Sequence, residues 1–253
     1  MILINKRKDN EPFVSIITVT LNSEKNLEET LKSIENQKNK DYELIIIDGQ
    51  SSDSTIEIIK RNKNLINFCL TEKDDGIYDA FNKGLKHAKG KYIVFVNSDD
   101  ILTPEALELL SKYNEKYKDI DFLFGSVKKH WGVLHGYNPN KIKFTWGFYS
   151  SHSTGFYIKR ASAKKIGEYN TKYKFHADFD YFYRMIVKHK MHGIGTKKDE
   201  LFGIFRRGGY SSKIEFKKSY LEDLRIRIDN GQSYFTVAII ALFKFIKNFR
   251  RFF

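Results

Sequence analysis

From Phe13 onward the sequence alternates short β-rich runs with stretches of helical periodicity, which restricts the chain to βαβ units stacked into a largely parallel sheet. Val14-Ser15-Ile16-Ile17-Thr18-Val19-Thr20 reads as the first strand. Leu27, Leu31 and Ile34 then recur at helical spacing behind Ser23, a capping residue, and predict a helix with one apolar face. Leu44-Ile45-Ile46-Ile47 is a continuous apolar run, the mark of a strand buried on both faces. A polar turn closing on Asp53 leads to a second helix through Ile56 and Ile59. A third strand is expected over Asn67 to Thr71, and a third helix through Ile77, Phe81, Leu85 and Ala88, ended by Gly90.

Tyr92-Ile93-Val94-Phe95-Val96 is the fourth strand, and it runs directly into Asn97-Ser98-Asp99-Asp100, after which Thr103-Pro104 opens a helix. Ligands of open α/β sheets bind outside the carboxyl ends of the strands, so acidic residues just after buried strands, at Asp48 and at Asp99-Asp100, mark the expected site. Beyond Leu110 the periods blur. Phe122 to Val127 and Gly155 to Ile158 read as strands, and Asp178 to His189 as a helix.

A chain of 253 residues carries one substantial core and an appendage rather than two full domains. The formal charge of +13 attracts nucleic acid, anionic lipid or phosphorylated small molecules without choosing among them. The single cysteine, Cys69, lies in an apolar run and reads as a buried thiol. Ile2-Leu3-Ile4 is too short for the apolar region of a signal peptide, so a cytoplasmic location is expected. Tyr234 to Phe253 joins an apolar run to Lys244, Lys247, Arg250 and Arg251; it is too short to span a bilayer and reads as a helix lying on an anionic membrane surface, or packed on the protein's own core.

Asp99 and Asp100 have the chemistry to hold Mg²⁺ or Mn²⁺ against a diphosphate leaving group, while an isolated Asp-Asp pair is also a common solvated turn. A sugar hydroxyl attacking carbon needs a base, and His176-Ala177-Asp178-Phe179-Asp180 offers carboxylates that also read as helix-cap charges.

In their order along the chain these motifs resemble the family 2 glycosyltransferases, inverting enzymes with a GT-A fold, most closely over Phe13 to Leu110. The resemblance implies a Rossmann-like mixed, largely parallel sheet flanked by helices. It divides the chain into a glycosyltransferase domain over 1–215, with a nucleotide-sugar half (13–110) and an acceptor half (111–215), followed by a helical C-terminal segment over 216–253. Ser15 to Asn22 looks like the family's opening strand and loop, which places Thr20 and Asn22 beside the nucleotide. Ile47 to Asp53 is similar to its acidic turn, with Asp48 toward the donor and Gly49 where a second aspartate is usual. Asp74-Asp75-Gly76-Ile77-Tyr78-Asp79-Ala80-Phe81-Asn82 resembles the signature of a bacterial subgroup that builds capsules, O-antigens and exopolysaccharides, and puts Asp75, Asp79 and Asn82 near the donor.

Asn97-Ser98-Asp99 looks like the Asp-x-Asp metal motif with its first carboxylate replaced, so Asn97 and Ser98 face the donor and Asp99 is the principal metal contact, with Asp100 beside it. Ala177-Asp178 resembles the Glu-Asp of the catalytic base, which makes Asp178 the base; His152 and Asp180 fall on the acceptor side, and Arg207 in a basic loop over the diphosphate. Implied partners are a nucleoside-diphosphate sugar, a UDP-sugar favoured, a lipid-linked saccharide acceptor, and the inner face of the cytoplasmic membrane. Two rivals remain: a nucleotidyltransferase, which lacks here the usual Gly-rich basic loop after the first strand, and a basic nucleic-acid-binding module, for which the cations outside the tail are too dispersed.

Overall fold

The computed structural model describes residues 1–6, 11–144, 149–206 and 215–251. Its centre is an eight-stranded sheet ordered β1-β4-β3-β2-β5-β10-β7-β11. The strands are β1 (Ile2–Asn5), β2 (Val14–Thr20), β3 (Tyr42–Asp48), β4 (Phe68–Thr71), β5 (Tyr92–Phe95), β7 (Phe122–Phe124), β10 (Phe156–Lys159) and β11 (Gly193–Gly195). The β4-β3-β2-β5 core is parallel. β1 and β10 run against their neighbours, and β11 runs parallel to β7.

Continuous apolar runs bury both faces of this core. Ile16, Leu44, Ile46 and Val94 meet α1 (Leu27–Glu35), α2 (Thr55–Arg61) and α4 (Ala106–Lys116) on one side. Ile17, Ile45, Ile47 and Phe95 meet α3 (Ile77–His87) and α6 (Ala177–Tyr183) on the other. α3 sits close against β2 because position 84 is glycine: a Cβ there would lie 2.4 Å from Ile17 Cγ2. The strands and helices expected in the first half are present, and β2 has the expected bounds.

The second half departs from expectation in one instructive place. Phe122 to Val127 is two strands, not one: β7 ends at Phe124, and β8 (Ser126–Lys129) joins a separate sheet ordered β6-β12-β8-β9, with β6 (Ile101–Leu102), β9 (Gly132–Leu134) and β12 (Leu201–Ile204). The crossing occurs at Gly125, where a Cβ would lie 2.3 Å from the Phe202 ring.

After β10 come α5 (Arg160–Ile166) and α6, which continues through a π-helical turn over Arg184–Lys188. α7 (Phe216–Asp229) and α8 (Tyr234–Lys247) close the chain. α7 is tied to the body by Asn230, which donates to Asp180 Oδ1 at 2.8 Å, and by the buried Arg227, which reaches the Lys143 carbonyl at 3.1 Å.

Candidate active site

β3 and β4 lie to one side of β2 and β5 to the other, so the strand order reverses between β2 and β5. In open α/β sheets such a point, outside the carboxyl ends of the strands, is where a ligand crevice forms. Its floor is a set of cross-braced loops. Ser23 and Ser98 share a hydrogen bond of 2.8 Å between hydroxyls, and Thr30 of α1 donates to the carbonyls of Ser98 (3.0 Å) and Asp100 (2.8 Å). Asn22, in the left-handed region at φ 50°, accepts from Ser52 N at 2.9 Å, and Asp53 accepts from Glu24 N at 3.1 Å.

Asp48 is fully buried at the end of β3. Its carboxylate accepts from the hydroxyls of Thr20 (3.0 Å), Ser51 (2.5 Å) and Thr71, and from Ser51 N (3.1 Å). Those four donors take up the carboxylate's capacity. Asp48 and Thr20 together shape the turn that follows β3. Gly49, where a second aspartate is usual, is explained by Asp74, because a Cβ at 49 would lie 2.5 Å from Asp74 Oδ2. Burial raises the Asp74 carboxyl above its ordinary range.

Asp99 and Asp100 occupy the mouth after β5 as expected. Burial raises the Asp99 carboxyl, with Arg206 opposing. Asp100 is 1% exposed, and burial followed by the charge of Asp99 pushes its pKa up to about 7. Asp100 Oδ1 accepts from Arg206 N at 3.1 Å, whereas Asp100 Oδ2 and Asn97 Oδ1 are buried without a hydrogen-bond partner. Orphaned buried oxygens are costly and call for a missing partner. Hard divalent cations take oxygen donors, often one or two carboxylates with substrate phosphates completing the shell. Asp99, Asp100 and the Asn97 carbonyl fit that chemistry. Among the described residues no three carboxylates, imidazoles or thiolates form a cage by themselves.

Asp178, at the start of α6, lies in an aromatic chamber. Its Oδ1 is 3.1 Å from Tyr78 OH, the tyrosine of the Asp74–Asn82 motif, and accepts from Phe179 N at 2.9 Å. Tyr149 also bonds to this carboxylate. Glu222 of α7 holds the preceding backbone, accepting from Phe175 N and His176 N, each at 2.7 Å. Burial lowers the pKa of Lys129, at the end of β8, and the charges of Asp100 and Asp178 oppose that shift. The sequence reading missed Lys129, as it missed Tyr78 and Glu222.

His152 is buried between Phe81 (centroids 5.1 Å apart) and Phe95 (5.0 Å), with its Nε2 2.8 Å from Tyr169 OH. Burial lowers its pKa to about 4, which keeps the ring neutral. It packs beneath the chamber instead of facing an acceptor. The next two residues pin the mouth: Ser153 Oγ accepts from Asn97 N at 3.0 Å, and Thr154, at φ 61°, donates its N–H to the Phe95 carbonyl at 2.8 Å. A β-branched residue in the left-handed region is strained, and such strain gathers at functional sites.

The Asn82 amide is committed at both ends to the Tyr169 backbone, at 2.9 and 2.8 Å. Asp180 is buried and bound to Arg184 Nε (2.9 Å) and Asn230, which braces α6. Asp75 and Asp79 do line a cavity of about 260 Å³ with Tyr78 and Lys174, beside the Asp178 segment. Asp79 also pairs with Lys83 at 3.1 Å. Arg206 pairs with Glu29, and Arg207 lies outside the described residues.

The family model described as glycosyl transferase family 2 matches residues 15–185. An uncharacterized glycosyltransferase of Methanocaldococcus jannaschii, MJ1057, is 33% identical over 226 residues, covering 83% of this chain and 77% of the relative. The poly(ribitol-phosphate) β-N-acetylglucosaminyltransferase TarP of Staphylococcus aureus is 41% identical over 117 residues, which cover 44% of this chain and 36% of TarP. The crystal structure of S. aureus TarS residues 1–349 with UDP superposes with a TM-score of 0.66 at 19% identity, over 86% of this chain and 64% of that one. The chain thus spans less than two thirds of the TarS fragment and about a third of TarP. Crevice, fold and relatives agree that this chain belongs to glycosyl transferase family 2 and is a transferase with the GT-A architecture.

Proposed function

We propose that the chain transfers a sugar from a nucleoside-diphosphate donor, a UDP-sugar by preference, to a hydroxyl of a cell-surface polysaccharide acceptor, with inversion. The observation that carries this reading is the pair of buried oxygens without a hydrogen-bond partner, Asn97 Oδ1 and Asp100 Oδ2, at the switch point of the sheet. TarS, solved with UDP, and TarP, named for a wall polymer, support the donor and acceptor classes.

Asp178 takes the proton of the acceptor hydroxyl, whose oxygen forms the new bond to the anomeric carbon as the bond from that carbon to the diphosphate oxygen breaks on the opposite face. Tyr78 and Tyr149 hold the Asp178 carboxylate in place. Mg²⁺ or Mn²⁺ at Asp99, with Asp100 and Asn97, would supply charge neutralisation for the departing diphosphate. Asp75 and Asp79 line the adjoining cavity on the donor side.

The acceptor is lipid-linked, and α8 lays the protein on the inner face of the cytoplasmic membrane. Phe235, Ile239, Leu242, Phe243 and Ile246 are each more than half exposed along α8, with Lys247 and Arg250 exposed beyond them. Lys244, expected among the lipid-facing cations, is instead turned inward and bound to Asp223 at 2.5 Å. No helix of the described residues is long and apolar enough to cross a membrane.

Turnover of a panel of UDP-, GDP- and dTDP-sugars with and without Mn²⁺ tests the reading. Asp178→Asn should reduce kcat by about 10²- to 10⁴-fold, the usual worth of a general base. Asp99→Ala should abolish the response to Mn²⁺. Undiminished activity in both variants overturns the assigned roles.

A further inference from the structure

A second concave surface lies away from the crevice. α4 begins a few residues after Asp100, and its far end, roughly 16 Å along the helix, forms one wall of a cleft of about 780 Å³. This cleft straddles β11, the edge strand of the large sheet, which among the described residues pairs with β7 alone. The outer backbone groups of an edge strand are open to a ligand. Tyr113 of α4 and Tyr117, the residue that caps it, stand together on one side, their rings 5.9 Å apart and inclined by 23°. Tyr137 stands on the other, wedged 5.4 Å from Phe122.

The rim is cationic. Lys112, Lys116, Lys190 and Lys197 line it and are all exposed. Lys112 pairs with Glu108 at 2.8 Å, and among the described residues Lys116, Lys190 and Lys197 have no acidic partner. The one acid in the lining, Glu200, is held by the Tyr113 hydroxyl at 2.5 Å and by Lys197 N at 3.0 Å. Among the described residues Lys190 is one of four non-glycine residues in the left-handed region (φ 50°), and the other three, Asn22, Gln50 and Thr154, belong to the catalytic crevice and its surroundings.

We infer that this cleft binds a phosphodiester-linked polyol or saccharide chain, the stretch of acceptor polymer remote from the hydroxyl under attack. The inference rests on the proposed transfer to a surface polysaccharide. Lysines spaced along an open groove neutralise successive phosphates, and the tyrosines offer apolar faces to the carbon skeleton and hydroxyls to its oxygens. Tethering a long acceptor here raises its local concentration at Asp178, so the site acts on KM for long acceptors and leaves kcat unchanged.

Binding of a fluorescently labelled poly(glycerol phosphate) oligomer to the full chain tests it, with dextran of equal length as the neutral control. The wild type should bind the polyphosphate, more weakly as salt rises, and discriminate against dextran. Lys116→Glu with Lys190→Glu should weaken binding about tenfold or more, as reversal of two close charges requires. Tyr117→Ala should weaken it without altering the salt dependence, and Asp178→Asn should bind as the wild type does. Equal affinity for dextran, salt-insensitive binding, or unchanged binding by the charge-reversed protein overturns the inference. The two proposals fail separately. A charge-reversed protein that binds normally removes the cleft and leaves sugar transfer standing, whereas loss of nucleotide-sugar turnover in the wild type removes the transferase reading while the polymer is still bound.

Discussion

The two halves of the catalytic crevice are built by different means. On the donor side, polar side chains at the ends of parallel strands bond to one another, as the four donors around Asp48 and the Ser23–Ser98 link show. Around Asp178 the strands are short and split between two sheets, and position comes from packed rings: Phe182 lies within 5.4 Å of Phe124 and 4.8 Å of both Tyr149 and Phe156. Hydrogen-bonded loops hold shape locally, residue by residue. A ring cluster holds it collectively, so one truncation is felt throughout.

Paired core truncations would break or confirm that contrast. Phe182→Ala should cost about 4 kcal/mol, as expected for a fully buried ring, and should also lower kcat because Tyr149, which bonds to Asp178, loses a supporting face. Leu31→Ala, in the equally buried helix on the donor side, should cost about 3 kcal/mol and leave kcat unchanged below its melting temperature. Urea unfolding and steady-state rates on the same preparations check both. An equal loss of kcat in the two variants would mean that the halves do not differ in this way.

The pH dependence of stability sharpens the comparison on the aromatic side. Burial lowers the His152 pKa to about 4 in the folded protein, against about 6.5 for a free imidazole. The unfolded chain therefore takes up the proton first as pH falls, and stability drops between those values. The loss should be about 2 kcal/mol from pH 7 to pH 5. His152→Phe, which keeps a ring between Phe81 and Phe95, should remove that part of the slope in denaturant titrations across the range.

The same contrast explains what could be read from sequence. Strands buried on both faces announce themselves as continuous apolar runs, so β2 and β3 were legible, and with them the position of Asp48 at the end of β3. Lys129 and Tyr78 were not, because β8 joins its sheet only by the crossing at Gly125 and Tyr78 meets Asp178 across a separation of 100 residues. The partners of Asn82 and Asp180 were hidden for a related reason: a polar residue inside an apolar helical pattern does not reveal what it bonds to when buried, Tyr169 in one case and Arg184 with Asn230 in the other.

The smallest expected effect tests the donor side alone. Thr71→Val removes one hydroxyl from the Asp48 carboxylate while keeping the shape of the side chain. The carboxylate remains buried with three donors instead of four, and a hydrogen bond to a charged group is worth about 1.5 kcal/mol at the lower end of its range. Because the remaining donors include both groups of Ser51, the turn after β3 should keep its form, and the loss should be seen in the denaturation midpoint with no change in kcat. If kcat falls with Thr71→Val, the loops on this side are coupled to the chemistry as tightly as the rings around Asp178, and the division between a locally braced half and a collectively packed half does not hold.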